Sequence, residues 1–326
     1  MVASCNLVEI YIPFMQEIIE KVSRDALMDE LNKERFVRKT NNGNNEIYIV
    51  NHKNSPQVMR EIGRLREVTF RHSGGGTGKE LDLDEYDLSG HSYEQLLVWN
   101  PADKEIVGAY RYILCKNAEY IHGEVKLATT ELFYFSPEFY SDYLPYTIEL
   151  GRSFIQPQYQ PSEQFRKGLF SLDNLWDGLG ALVVDNPSQK YFYGKVTMYT
   201  DFNVEARDYI LAFLHYYFPD KNNLVKPIHG ITTKTNVNAF ITKLKDKNYK
   251  DGHVILNQTV RLLGENIPPL VNAYMNLSNT MLCFGTAINP GFGDVEETGI
   301  LVTISDIYES KKDRHINSYL KEKSRL

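Results

Sequence analysis

Cysteine is scarce in this sequence. Cys5, Cys115 and Cys283 lie far apart in no metal-ligand spacing, which fits a reducing compartment better than a disulfide framework. A secretory leader is not expected either: the opening MVASCNLVEIYIPF has no basic stretch, and Glu9 interrupts its apolar part. The longest uncharged run, residues 267–293, is long enough to span a bilayer. It holds Pro268, Pro269, Pro290, four Asn and three Gly, a composition that inserts badly. HExxH, GxSxG and CxxC are absent, so zinc protease, serine hydrolase and thioredoxin-like chemistry have no foothold. HSGGGTGK (72–79) fails as a phosphate-binding loop. Ser73 stands where the first glycine belongs, and Glu80 replaces the Ser or Thr that holds magnesium, so it reads as a mobile loop. His215 and Asp220 have the H-x4-D spacing of glycerolipid O-acyltransferases. Short pairs of this kind arise by chance, and the later motifs of that family do not follow.

What is present is aromatic and unevenly charged. The chain holds 22 Tyr and 16 Phe, suited to strands and apolar pockets. Net charge is −6, yet residues 221–250 carry +6 and residues 311–326 carry +4, which leaves −16 for the remainder. Such basic stretches suit an acidic partner or an anionic membrane surface, and are otherwise solvated faces and a frayed tail. An acidic protein without a base-reading motif is not expected to bind nucleic acid.

Apolar spacing predicts a helix over 14–38, a strand at 46–50, and a helix opened by Ser55-Pro56 that ends near Phe70. Strands follow at 95–99, 105–115 and 146–155, the last with Gly151 as a bulge. A helix over 169–185, a strand over 191–199 and a helix over 204–218 come next. A helix after Pro268-Pro269 and strands near 281–286 and 299–304 complete the chain. This order implies an α/β (α+β) fold with a mixed sheet flanked by helices, not a strictly alternating doubly wound one. The division expected is an N-terminal helical extension (1–45), one domain (46–305) and a basic C-terminal tail (306–326).

Four segments carry the functional reading: REVTF (66–70), DEYD (84–87), VGAYR (107–111) and ELGR (149–152). Singly each has a plainer explanation, such as a surface arginine or a structural ion pair. In this order they resemble the acyl-homoserine-lactone synthases. More closely they resemble the ornithine/glycine acyl-carrier-protein N-acyltransferases, often called hemolysin-like. FYFSPEFY (133–140), IELGRSFIQPQYQ (148–160), LWDGLGALV (175–183), IPPLVNAYMNL (267–277) and INPGFGD (288–294) extend the resemblance over roughly 46–305.

The resemblance implies a GNAT-like fold in which an acyl-pantetheine arm enters between splayed central strands. The thioester of an acyl carrier protein is then the co-substrate, with no separate cofactor and no metal. The resemblance also puts backbone N–H groups of the ELGRS strand at the thioester carbonyl, and points the helix starting near Ser171 at the pantetheine phosphate, as suits an anion. The reaction joins a 3-hydroxyfatty acyl group to the amine of glycine or ornithine, in the cytoplasm with transient contact at the inner membrane face. The Tyr- and Asn-rich composition resembles that of Bacteroidetes-type members of the family, associated with N-acyl glycine, and this resemblance tilts the choice to glycine. A lactone synthase, an acetyl-CoA-dependent enzyme and a non-enzymatic membrane-active protein are the competing classes.

The chemistry follows from the residues. An amino acid's amine is mostly protonated near neutral pH, and a carboxylate at a strand end can take its proton. Glu149 is the candidate base, because alternation puts it on the face opposite Ile148 and Leu150. Arg111 and Arg152 either bind the substrate carboxylate or hold Glu149 and Asp87 in place. Asp84, Glu85 and Asp87 are available to a second amine if the substrate is ornithine. Arg66, Phe70, Ser153, Phe154, Ser171 and Trp176 are candidate substrate-lining residues, although Trp176, like Trp99, reads more readily as core than as acyl-chain lining.

Overall fold

Apolar alternation in the strands and a 3.6-residue period in the helices build one sheet with layers on both faces. The computed structural model describes residues 15–160 and 168–325, so the opening at 1–14, Cys5 and residues 161–167 lie outside the described residues. Strands β1 (Phe36–Lys39), β2 (Glu46–Val50), β3 (Glu94–Asn100), β4 (Glu105–Leu114), the small pair β5 (Tyr120–Ile121) and β6 (Glu124–Val125), and β7 (Phe133–Phe135) come first. Then follow β8 (Thr147–Ile155), β9 (Tyr191–Met198), β10 (Val225–Pro227), β11 (Leu282–Asn289) and β12 (Val295–Thr303). Eight of them form the main sheet in the order β1-β2-β3-β4-β8-β9-β12-β11. Its neighbours run antiparallel except β8 and β9, which are parallel.

One face of the sheet is covered by α4 (Ser171–Asp185), α5 (Val204–Tyr217), α6 (Asn238–Leu244), α7 (Tyr249–Leu262) and α8 (Pro269–Met275). Leu175, Leu179 and Leu182 of α4 pack there on Leu96, Val98, Ile148 and Leu150. The other face takes α1 (Arg24–Glu30) and α2 (Pro56–His72). Val58, Met59, Ile62 and Leu65 of α2 meet Tyr48, Leu97, Ala109 and Phe154. An aromatic cluster of Phe133, Phe139, Tyr193 and Phe284 closes the rest of that face. No helix among the described residues is long and apolar enough to cross a membrane.

Two features of β8 and β9 position the site. The parallel pairing runs only from Thr147↔Tyr191 to Leu150↔Gly194, after which the strands part. Gly194 permits the last close approach: a Cβ there would sit 2.6 Å from the Leu150 carbonyl oxygen. Next, Arg111↔Gly151 and Ala109↔Phe154 leave two residues of β8, Arg152 and Ser153, opposite Tyr110 alone. This is a bulge. It falls one residue after the Gly151 that the sequence suggested, with Arg152 itself at φ +47. The extra residue shifts the alternation, so Phe154 packs on the α2 face while Ile148 and Leu150 pack on the α4 face.

The expected helix over 14–38 is mostly absent. Only Arg24–Glu30 is helical, capped by the Ser23 hydroxyl, and Phe36–Lys39 is instead the edge strand pairing with β2. Residues 36–39 thus complete the sheet at its edge. The glycine-rich loop is not loose either: the Glu67 carboxylate accepts from Thr77 N–H, Thr77 Oγ1 and Gly78 N–H at 3.1, 2.8 and 2.8 Å. Asp220 accepts from the backbone of Asn222 and Val225, a local turn with no bond to His215.

The C-terminal segment is helical rather than frayed, with α9 (Glu309–Lys312), a wider turn through Asp313–Asn317 and α10 (Ser318–Lys323) lying against α4. His315 Nδ1 bonds the buried Asp177 carboxylate at 2.7 Å, and Lys323 pairs with Asp185. Gly180 on α4 makes the approach possible, since a Cβ there would strike the His315 carbonyl. Gly180→Ala is therefore expected to lower stability by about 1–3 kcal/mol. Chemical denaturation reads this, and an unchanged midpoint would show that the segment does not depend on that contact.

Candidate active site

The parted strands open a cavity of about 640 Å³, within the usual range for a ligand site. It passes through the sheet. On the α4 face its walls include Leu150, Tyr159, Leu169, Ser171, Pro268 and Tyr274; on the α2 face they include Phe70, Arg111, Glu149, Arg152, Lys195 and Glu297. Beyond Leu150, amides of β8 that point toward β9 have no strand partner and face this space.

Glu149 stands at the fork, beside Tyr193 in the last pairs before the strands separate. Its side chain is buried, with one carboxylate oxygen accepting the Tyr93 hydroxyl and the other the Thr129 N–H at 2.9 Å. The Tyr93 oxygen in turn accepts the Ala128 N–H at 2.9 Å, so the hydroxyl proton is directed at the carboxylate. Burial pushes the Glu149 carboxyl above its ordinary range, and the bonds from Thr129 and Tyr93 only partly oppose this. The result is a carboxylate held in one orientation and made more basic than usual.

The arginines and aspartates form a compact ionic cluster beside it. Arg66 donates to Asp87 at 3.0 Å and to Gln95 at 2.5 Å, and Gln95 donates back to Asp87 at 3.0 Å. Arg111 donates to Asp84 at 2.7 Å and to Asp87 at 3.2 Å. Arg152 Nε lies 3.0 Å from Asp82, and its guanidinium lies over the Phe292 ring. Three cations thus meet three carboxylates. Burial works against the Asp84 charge, yet Arg111, helped by Arg152 and Arg66, holds its carboxyl well below the usual range. For the deeper Asp82 burial wins and the carboxyl is pushed up. Asp84 also caps α3 (Glu85–Leu88): its side chain accepts the Asp87 N–H while Asp87 accepts the Asp84 N–H.

Of the residues singled out in the sequence, Glu149, Arg111, Arg152, Phe70, Ser153, Phe154 and Ser171 line the cavity. Asp84, Asp87 and Arg66 lie outside its lining, in the cluster that fixes Arg111 and Arg152. Trp176 packs behind the wall against Tyr274, with ring centres 5.5 Å apart, and Trp99 is core on the α2 face. The sequence reading missed Tyr93, Thr129, Gln95, Asp82, Lys195 and Glu297. Alternation in YFYGKVTM and VEETGILV was the available signal for the last two, since Tyr193, Lys195, Thr197 and Glu297 fall on one face once register is known. Among the described residues no cluster of His, Cys, Asp and Glu could hold a metal ion.

The comparisons agree with this geometry. Residues 65–167 match the acetyltransferase (GNAT) domain. A glycine N(alpha)-acyltransferase of Phocaeicola vulgatus is 52% identical over 309 residues, covering 94% of this chain and 95% of that protein. Another of Bacteroides thetaiotaomicron is 52% identical over 307 residues, covering 94% and 91%. No solved structure matches the chain at the same stringency. A sheet parted at a carboxylate, a GNAT match across it and near-full-length relatives place this chain in the GNAT family of glycine N(alpha)-acyltransferases, which are amide-forming enzymes.

Proposed function

We propose that this protein transfers a fatty acyl group, typically 3-hydroxylated, from the pantetheine thioester of an acyl carrier protein to the amine of glycine, yielding an N-acyl aminolipid. The observation that carries this reading is the cavity crossing the sheet at Glu149. It gives an acyl-pantetheine arm a path on the α4 face and an amine a path on the other. The path on the α4 face reaches Ser171 at the start of α4, where first-turn amides favour an anionic phosphate.

In this reading Glu149 takes a proton from the acceptor's ammonium, and the freed amine attacks the thioester carbonyl. Unpaired amides of β8 near the bulge stabilise the oxyanion. Collapse breaks the carbon–sulfur bond and leaves the amide, the nitrogen's second proton passing to the pantetheine sulfur, which departs as the thiol, while Glu149 returns its proton to solvent. Arg111 and Arg152 act mainly as the fixed cationic wall, because Asp82, Asp84 and Asp87 already balance them. The same engagement disfavours ornithine: Asp84 and Asp87 are held by arginines, and Glu85 by Lys126. The names of the two relatives also support glycine.

The carrier protein as donor is supported by chemistry at the surface. Lys243, Lys245, Lys247 and Lys250 are all exposed around α6 and the start of α7, a basic patch suited to an acidic carrier or an anionic lipid surface. Such a surface fits an enzyme working in the cytoplasm beside the inner membrane face.

The direct test offers purified protein 3-hydroxypalmitoyl carrier protein with glycine and ornithine together, and reads products by mass. N-acyl glycine is expected. N-acyl ornithine would correct the acceptor, and product only from acyl-CoA would correct the donor. Glu149→Gln in a folded protein is expected to lower kcat by about 10²–10⁴-fold. Because burial raises its pKa, Glu149 is ionised only above the ordinary glutamate value of about 4.3. Activity should therefore fall as pH drops through a midpoint above that value. A variant retaining this acid limb at full rate would remove Glu149 from the chemistry. Reversing the charge of three of the four lysines is expected to raise the KM for carrier protein at low salt. An unchanged KM would dispose of docking there.

A further inference from the structure

The substrate's carboxylate needs a cationic partner inside an apolar cavity, and the arginines are not the best placed to supply it. Arg111 spends its Nη1 on Asp84 and Asp87, and Arg152 faces Asp82 and Asp84 while stacking over Phe292. On the far side of the fork, Lys195 projects from β9 into the cavity with its side chain about nine-tenths buried (12% exposed). It lies two residues beyond Tyr193, the residue paired with Glu149, and so about 7 Å further along the strand.

Glu297 holds it there. The two pair as an ion pair, and Glu297 accepts from Asn289 Nδ2 at 3.2 Å and from the Thr197 hydroxyl at 3.4 Å. Glu297 is itself buried and on the cavity wall. An ammonium has three N–H donors. The bond to Glu297 uses one, and among the described residues Glu297 is the acidic partner of Lys195. Two donors remain for a ligand.

We propose that Lys195 binds the carboxylate of the acceptor amino acid and that Glu297 is its positioning residue. With the carboxylate on Lys195 and the amine toward Glu149, the acceptor spans the α2-face half of the cavity, one carbon separating its two charged groups. An amine lacking the carboxylate leaves the Lys195 donors unmatched. The site thus selects α-amino acids over simple amines. This inference rests on glycine being the acceptor.

The test compares glycine with glycinamide, which keeps the amine and removes the negative charge. Wild type is expected to prefer glycine. Lys195→Met should lower kcat/KM for glycine by about tenfold to a hundredfold, the range for a hydrogen bond to a charged group. The loss should fall mainly on the KM for glycine, with the KM for the thioester donor unmoved and the preference over glycinamide collapsing. Glu297→Gln is expected to raise the glycine KM in the same sense by a smaller factor. Because Lys195→Met strands a buried carboxylate, the double variant Lys195→Met, Glu297→Gln is measured beside it and should show the same loss of preference.

A wild type indifferent to the carboxylate would overturn the proposal, and so would either lysine variant that keeps the wild-type preference. A wild type that acylates no glycine from any thioester would instead overturn the acceptor reading on which it rests.

Discussion

The parting of two parallel strands governs this molecule. β8 and β9 stay together for only four pairs, and the chemistry these two strands carry lies at or beyond the third, where Glu149 faces Tyr193. A sheet normally satisfies its backbone groups strand to strand. Here that rule is suspended over the second half of β8, which leaves amides directed at open space and side chains from two faces sharing one cavity. The covering layers make the exception tolerable: α4 and α8 close one side, α2 and the aromatic cluster the other. The bulge at Arg152 belongs to the same device, because it restarts the alternation and lets Phe154 anchor the strand to the α2 layer.

The ionic cluster rigidifies what the parting exposes. A buried arginine needs several acceptors, and Arg66, Arg111 and Arg152 share three aspartates and Gln95 drawn from α2, β3, β4, β8, α3 and the loop leading into it. Breaking one member of such a set leaves charges unpaired in a poorly solvated place, typically costing about 3–5 kcal/mol. These residues therefore behave as one unit. That explains how segments remote in sequence, REVTF, DEYD, VGAYR and ELGR, read as a single signature: three of them supply cations and the fourth supplies two of the three carboxylates.

Much of the layout was legible from the residues. Strands β2, β3, β4, β8 and β9 and the helices α2, α4, α5 and α8 follow from apolar spacing and from proline at helix starts, and Glu149 was accessible through simple alternation. Tertiary context hid the rest. Leu27 and Leu31 suggested one long helix, but the chain turns after Leu31, and Val37 packs in the edge strand on the opposite face. Lysines around α6 and α7 masked Phe240, Leu244, Leu256 and Val260, which are buried. Tyr93 and Thr129 act through a hydroxyl and a backbone amide, groups that carry no motif. Lys195 and Glu297 look like ordinary strand charges until the register sets them side by side in a cavity.

The same through-sheet cavity bears on kinetic order. Among the described residues its walls include neither Cys115 nor Cys283, the two described cysteines, both of which are buried in apolar surroundings. Among the described residues an acyl group thus finds no thiol in the cavity on which to rest while one product leaves and the second substrate arrives. In the proposed reading donor and acceptor approach from opposite faces and meet at Glu149, so neither must vacate the other's path. Such an architecture calls for a ternary complex and intersecting initial-velocity lines, in contrast to the parallel lines of a substituted-enzyme cycle.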